Sequence, residues 1–373
     1  MTASFDVIVV GLGAMGSAAA CHLARAGRKV LGLDRFTPPH NFGSSHGQTR
    51  IIREAYFEHP LYVPLIQRAY ELWSELEAST QRRLFVPTGG LMIGRPESVV
   101  VSGARRSAEL HHLRHEILHA REVRKRFPAL QPEDDMLAVW EPRAGILFPE
   151  SCVAAHLELA RRSGADFRFE NALMDWSADQ NGVEVRTTRG KFRAEQLVLT
   201  AGAWMPSLTP ELNLPLKVER QIQFWFTPRQ RENLFSPDRC PIHIWECATG
   251  ERFYGFPELG SGVKVARHHA GEPADPDRLR RDVSQSEIAA MRDLVRRFLP
   301  DADGPLHETA VCMYTNMPGE HFLIDWHPAH ANVLIASPCS GHGFKFSSVV
   351  GEVIRELIVV GKSRFDLSLF HQR

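Results

Sequence analysis

The chain has 373 residues, 43% of them hydrophobic and 24% charged, and its 44 Lys plus Arg balance 44 Asp plus Glu. That length and composition suit a soluble globular protein of two domains or one large one. The even charge argues against a nucleic-acid-binding surface or an acidic tail.

The first residues, Met1 to Asp6, lack the charged start and long apolar stretch of a secretory leader. Phe5–Val10 is a β-branched apolar run, the pattern of a buried strand. It passes into Gly11-Leu12-Gly13-Ala14-Met15-Gly16, then an Ala-rich helix from Ser17 to Ala26 closed by Gly27, then a second strand from Lys29 to Leu33 ending in Asp34. These form a βαβ unit. Tyr62, Leu65, Ile66, Ala69, Tyr70, Trp73 and Leu76 mark an amphipathic helix over His59–Ala78. A helix follows over Glu150–Ser163, then short strands at Phe167–Phe169 and Val183–Val185 with an Asn181-Gly182 turn, then a buried strand at Gln196–Thr200. Leu216 to Val265 is strand-rich, with interleaved aromatics. Ser284 and Glu287 form a capping box for a helix reaching Leu299. A strand at Val333–Ala336, a Gly-rich turn and a helix over Phe346–Val360 complete the pattern. No apolar stretch approaches the roughly 20 residues that span a bilayer, and Phe370–Arg373 is not a peroxisomal ending. Six cysteines without a framework spacing read as reduced thiols, so a cytoplasmic protein with no membrane partner is expected.

The glycine run carries the first chemistry. Gly11 permits a tight turn, Gly13 lets backbone approach a pyrophosphate, and Gly16 allows close helix–strand packing. The helix start favours negative charge, and Asp34 stands where a carboxylate accepts ribose hydroxyls. This fingerprint serves NAD and FAD alike.

Three later segments separate the two. Gly43-Ser-Ser-His-Gly-Gln-Thr-Arg-Ile-Ile-Arg53, Cys312-Met-Tyr-Thr315 with Glu320–Asp325, and Ser340-Gly-His-Gly-Phe-Lys-Phe-Ser-Ser348 resemble the monomeric sarcosine oxidase and N-methyltryptophan oxidase family. Their order and spacing agree along the whole chain. The resemblance implies an α/β fold: a Rossmann-like FAD-binding domain over 1–85, 146–215 and 310–373, with an inserted, mainly antiparallel β-sheet substrate domain over 86–145 and 216–309. It implies FAD bound covalently through Cys312, which without it reads as a small buried hydrophobe. Cofactor contacts are implied for Gly11, Gly13, Ala14, Met15, Gly16, Asp34 and Arg35. They are implied also for Ser44, His46, Thr49 and Arg50, and for Gly341, His342, Gly343, Phe344 and Lys345.

The same resemblance sets Lys264 above the flavin as an aid to O2 reduction, while its alternation with Val263 and Val265, taken alone, fits a lysine on a wet strand face. It pairs Arg53 and Lys345 on a substrate carboxylate, as a bidentate fork and a point charge. Tyr254, His268 and Tyr314 line the substrate side, with Arg50 and His268 in catalytic positions. The implied reaction is oxidation of a secondary amine, an N-methyl or cyclic amino acid, with O2 as acceptor, by a monomer. Sarcosine, N-methyltryptophan, pipecolate and proline-like rings all remain open. Cys339 and Arg267 bear on pocket size and polarity. Two other readings share the fingerprint: a non-covalent FAD amino-acid oxidase or dehydrogenase of the glycine or D-amino-acid type, and a non-catalytic dinucleotide-binding protein. His115-Glu-Ile-Leu-His119 matches a zinc-protease motif, but Glu116–Leu118 reads as a strand before a helix over Ala120–Phe127, so no metal is expected.

Overall fold

Strand Ser4–Val10 is apolar and buried from Val7 to Val10 because it lies inside a parallel sheet, between Val30–Leu33 and Gly190–Leu199. This computed structural model describes residues 4–371; the targeting readings and domain edges that fall on residues 1–3 and 372–373 lie outside it. The first sheet runs Leu173–Asp179, Gly182–Thr187, Gly190–Leu199, Ser4–Val10, Val30–Leu33, Asp166–Arg168, and the hairpin of Leu323–His327 and His330–Ser337 joins it at Gly190–Leu199. Helix Ala14–Arg25 lies against helices Pro149–Arg162 and Ser347–Val360, burying its alanines.

The second sheet is ordered Leu306–Asn316, Lys217–Phe226, Val263–His268, Arg252–Glu258, Ile242–Glu246, Gly90–Gly94, Leu137–Glu141, Glu116–His119. All its pairs are antiparallel except Ile242–Glu246 with Gly90–Gly94. Side chains alternate between its faces. Phe224, Phe226, Trp245, Phe253, Val263 and Val265 form a core with Met291, Leu294, Val295 and Phe298 of helix Gln285–Phe298, whose Ser284–Glu287 capping box is present as expected. The intervening residues, including Gln223, Ile244, Tyr254, Phe256, Lys264, His268, Cys312 and Tyr314, take the opposite face. A small sheet of Arg50–Ile52, Gly145–Leu147 and Phe85–Pro87 lies between.

Two local expectations change, and one open reading is decided. The long helix begins at Tyr62 rather than His59, because the His59 ring Nδ1 accepts Leu61 N–H at 3.1 Å and Pro60 has none to give. The boundary at 310 falls inside strand Leu306–Asn316, which pairs with Lys217–Phe226, so Cys312 sits in the second sheet. Lys264 is not on a wet face; it is 2% exposed. The motif at His115–His119 forms a strand, Glu116–His119, followed by helix Ala120–Arg126. No group of three metal-ligating side chains occurs among the described residues.

Candidate active site

The two sheets face each other across one cavity of about 520 Å³, which runs from the glycine turn to the 341–345 turn. At the first end, Gly11 holds φ at +87°, and Thr200 Oγ1 donates to the carbonyls of Val10 and Gly11 at 2.9 and 2.7 Å. A Cβ on Gly16 would lie 1.7 Å from Gly11 O, so the helix can approach the strand only with glycine there. Gly11, Gly13, Ala14 and Met15 line the cavity, and Gly16 packs behind them. Asp34 also lines it, accepting Leu12 N–H at 2.7 Å and Phe36 N–H at 2.8 Å. Arg35 lies 5.0 Å over the Trp204 ring at the mouth.

At the other end, cations converge. Arg53 is 1% exposed and lies 4.2 Å from the rings of Tyr56 and Phe57. Its Nη2 donates to both oxygens of Glu58 at 2.8 and 2.6 Å, and its Nη1 donates to Ala55 O at 2.9 Å. Burial would raise the Glu58 carboxyl, but the charges of Arg53, His342 and Lys345 and the Arg53 hydrogen bond hold it down at about 2. Lys345 Nζ donates to His342 O at 2.7 Å, while burial and the nearby Arg53 lower its ammonium to about 7. Trp73 Nε1 donates to Lys345 O at 2.9 Å and fixes that turn from behind. Arg50 reaches the carbonyls of Thr49 and Ser44, both at 2.8 Å.

Tyr314 OH and His268 Nδ1 lie 3.2 Å apart on the cavity wall beside Tyr254. Burial, then neighbouring His269, keeps His268 well below the usual imidazole range. Ser44 lines the wall, its Oγ donating to Met313 O at 2.7 Å. Gly341, His342, Gly343, Phe344 and Lys345 close the far end. Three expected residues stand behind the wall rather than on it. Lys264 donates to Gly47 O at 2.5 Å, Thr49 O at 3.0 Å and Thr49 Oγ1 at 3.1 Å, and burial, then Arg50, depresses it well below the ordinary lysine range. Thr49 is thereby committed to Lys264. His46 is buried, its Nε2 has no partner, and burial lowers it to about 3.

The family signature for FAD dependent oxidoreductases matches residues 6–357. The chain belongs to that family. The oxidoreductase is 47% identical over its whole length to "Monomeric sarcosine oxidase" of Streptomyces avermitilis, covering 98% of that protein. It is 36% identical to "N-methyl-L-tryptophan oxidase" of Salmonella arizonae, with 98% of each chain covered. Among solved structures, NikD, "an unusual amino acid oxidase essential for nikkomycin biosynthesis", superposes with a TM-score of 0.86 at 24% identity, covering 100% of this chain and 98% of that one. That likeness speaks for the fold alone.

The residues present fit FAD. The long cavity offers a glycine turn at one end, the Asp34 carboxylate beside it, and a cysteine with cationic groups at the other end. Beside Cys312, the buried Gln223 Oε1 has no partner. Sequence reasoning missed Glu58, Tyr56 and Gln223. Glu58 lies only five residues past Arg53, so spacing alone could have suggested the pair; nothing local marks the other two.

Proposed function

We propose that the oxidoreductase oxidises the C–N bond of a secondary amine carrying a carboxylate, an N-methyl or cyclic amino acid, and passes the electrons to O2. Oxidation of an N-methyl group then yields the amino acid, formaldehyde and H2O2. The observation that carries this reading is one cavity faced by the glycine turn, by Cys312 and by the Arg53–Lys345 cations. The two relatives named for sarcosine and N-methyl-L-tryptophan oxidation support it.

FAD, when bound, supplies the two-electron acceptor; Gly11, Gly13, Ala14, Met15, Asp34, Arg35, Ser44 and the 341–345 turn would hold it, with Cys312 tethering it through a thioether. Arg53 and Lys345 take the substrate carboxylate, which competes with Glu58 for the Arg53 fork. The rings of Tyr254, Phe256 and Tyr314 exclude water around the amine, and the neutral His268 ring keeps Tyr314 OH in place. Lys264, anchored by Gly47 and Thr49, assists O2 reduction, with Arg50 as the nearest second charge on this side. We assign the cofactor-binding part to the first sheet and its helices and the substrate-binding part to the second sheet. All six cysteines are free, and among the described residues no helix is long and apolar enough to cross a membrane; we take the protein to be a cytoplasmic monomer, the monomeric state from the name of its Streptomyces avermitilis relative.

Acid precipitation of the purified protein tests the tether. Yellow colour that stays in the pellet, and is lost on Cys312→Ser, is the expected result. Flavin wholly in the supernatant overturns the covalent part. Failure of N-methyl and cyclic amino acids to bleach the flavin anaerobically overturns the substrate class.

A further inference from the structure

The wall around Cys312 contains a buried polar group that the reaction above leaves unused. Gln223 lies on strand Lys217–Phe226, lines the cavity and is 1% exposed. The register pairs Gln221 with Cys312, which makes Gln223 the diagonal neighbour of Cys312 on the same face. Its Nε2 donates to Cys312 Sγ at 3.3 Å, and its Oε1 is buried without a partner. Gly47 closes the other side: a Cβ there would come within 2.0 Å of that oxygen. The amide is thus packed between the sulfur and the Gly47 backbone whose carbonyl anchors Lys264. Burying an unpaired amide oxygen is costly, and a leucine of similar size would avoid the cost. Its retention beside a thiol calls for a use.

We infer that Gln223 is a positioning residue for attachment of the flavin, holding the Cys312 sulfur toward the cavity and stabilising it as the thiolate that attacks. The inference rests on the Cys312 tether proposed above. An N–H donor bonds more strongly to a charged acceptor than to a neutral one, so the contact favours thiolate over thiol. A half-turn of the same amide presents Oε1, which accepts from the neutral S–H; one side chain therefore serves the sulfur before and after its proton leaves. Attachment forms a C–S bond between Sγ and the flavin 8α carbon, and breaks one C–H bond there and the S–H bond. Two electrons pass to the flavin ring, two protons leave, and O2 reoxidises the ring to give H2O2.

The test uses the full chain produced flavin-free, mixed with FAD between about pH 6 and pH 9, with acid-stable flavin followed over time. Non-covalent FAD affinity and thermal unfolding are measured alongside. Gln223→Leu and Gln223→Met, expected to keep the fold and the FAD affinity, should incorporate flavin about tenfold more slowly near neutral pH. The gap should close toward high pH, where bulk base does the work of the amide. Gln223→Glu, matched in size but only an acceptor when ionised, should be slower still. Incorporation at the wild-type rate overturns the assignment, as does an equal slowing at every pH, which is what a merely structural role predicts. Flavin released from the wild-type protein in acid would instead sink the tether itself, a result that wild type and Cys312→Ser reveal without any Gln223 variant.

Discussion

The two ends of the cavity are built in different ways. The glycine-turn end is built around backbone: a tight turn, a helix start and the missing side chains of Gly11, Gly13 and Gly16, all within six consecutive residues, with the Asp34 carboxylate beside them. The cation end consists of side chains. Arg50, Arg53, Lys264, Cys312 and Lys345 come from four separate segments and are charged or reactive in a place with little water. Backbone sites fail by collision. Side-chain sites fail by losing charge or a partner, and they respond to pH.

The largest effect should come from Lys264→Met. With flavin still held at the glycine end, anaerobic reduction by substrate should persist while O2 consumption falls about 100-fold or more, the usual loss when a buried electrostatic contact to developing charge is removed. Stopped-flow measurement of the two half-reactions separates them, and equal loss of both would remove the assigned role. Gly16→Ala attacks the other end. Its Cβ would meet Gly11 O at 1.7 Å, and the variant should lose about 2–3 kcal/mol of stability by denaturant unfolding. Gly27→Ala has open space around the same atom but a φ of +80°, and should lose only about 1 kcal/mol. Comparable losses at the two glycines would mean that conformation, not space, governs the turn. The smallest effect separates the ends by pH. Lys345 is lowered to about 7, so its ammonium is lost as pH rises through that value. The affinity for a carboxylate inhibitor should therefore fall, by at least about threefold, between about pH 6 and pH 8, and Lys345→Met should flatten the profile. A flat wild-type profile would leave Arg53 alone on the carboxylate.

The βαβ unit, the capping box at Ser284 and the alternation around Lys264 were legible because each depends on residues close in sequence. Resemblance, rather than pattern, marked Arg53, Lys345 and Cys312. Neither route showed that Glu58 occupies the Arg53 fork or that Trp73 holds the Lys345 carbonyl. Nor did either reveal that Lys264 stands behind the wall, its ammonium committed to Gly47 and Thr49.

By itself the sequence determined the periodicities: which faces are apolar, where glycine is required, and where a helix starts. Those follow from local sterics and from the 3.6- and 2-residue repeats of helix and strand. Tertiary structure alone decided which sheet holds Cys312, which cations are buried together, and which polar atoms are left without partners. These depend on segments hundreds of residues apart meeting in a place of low dielectric, where the strength of a charge is set by its neighbours rather than by its position in the chain.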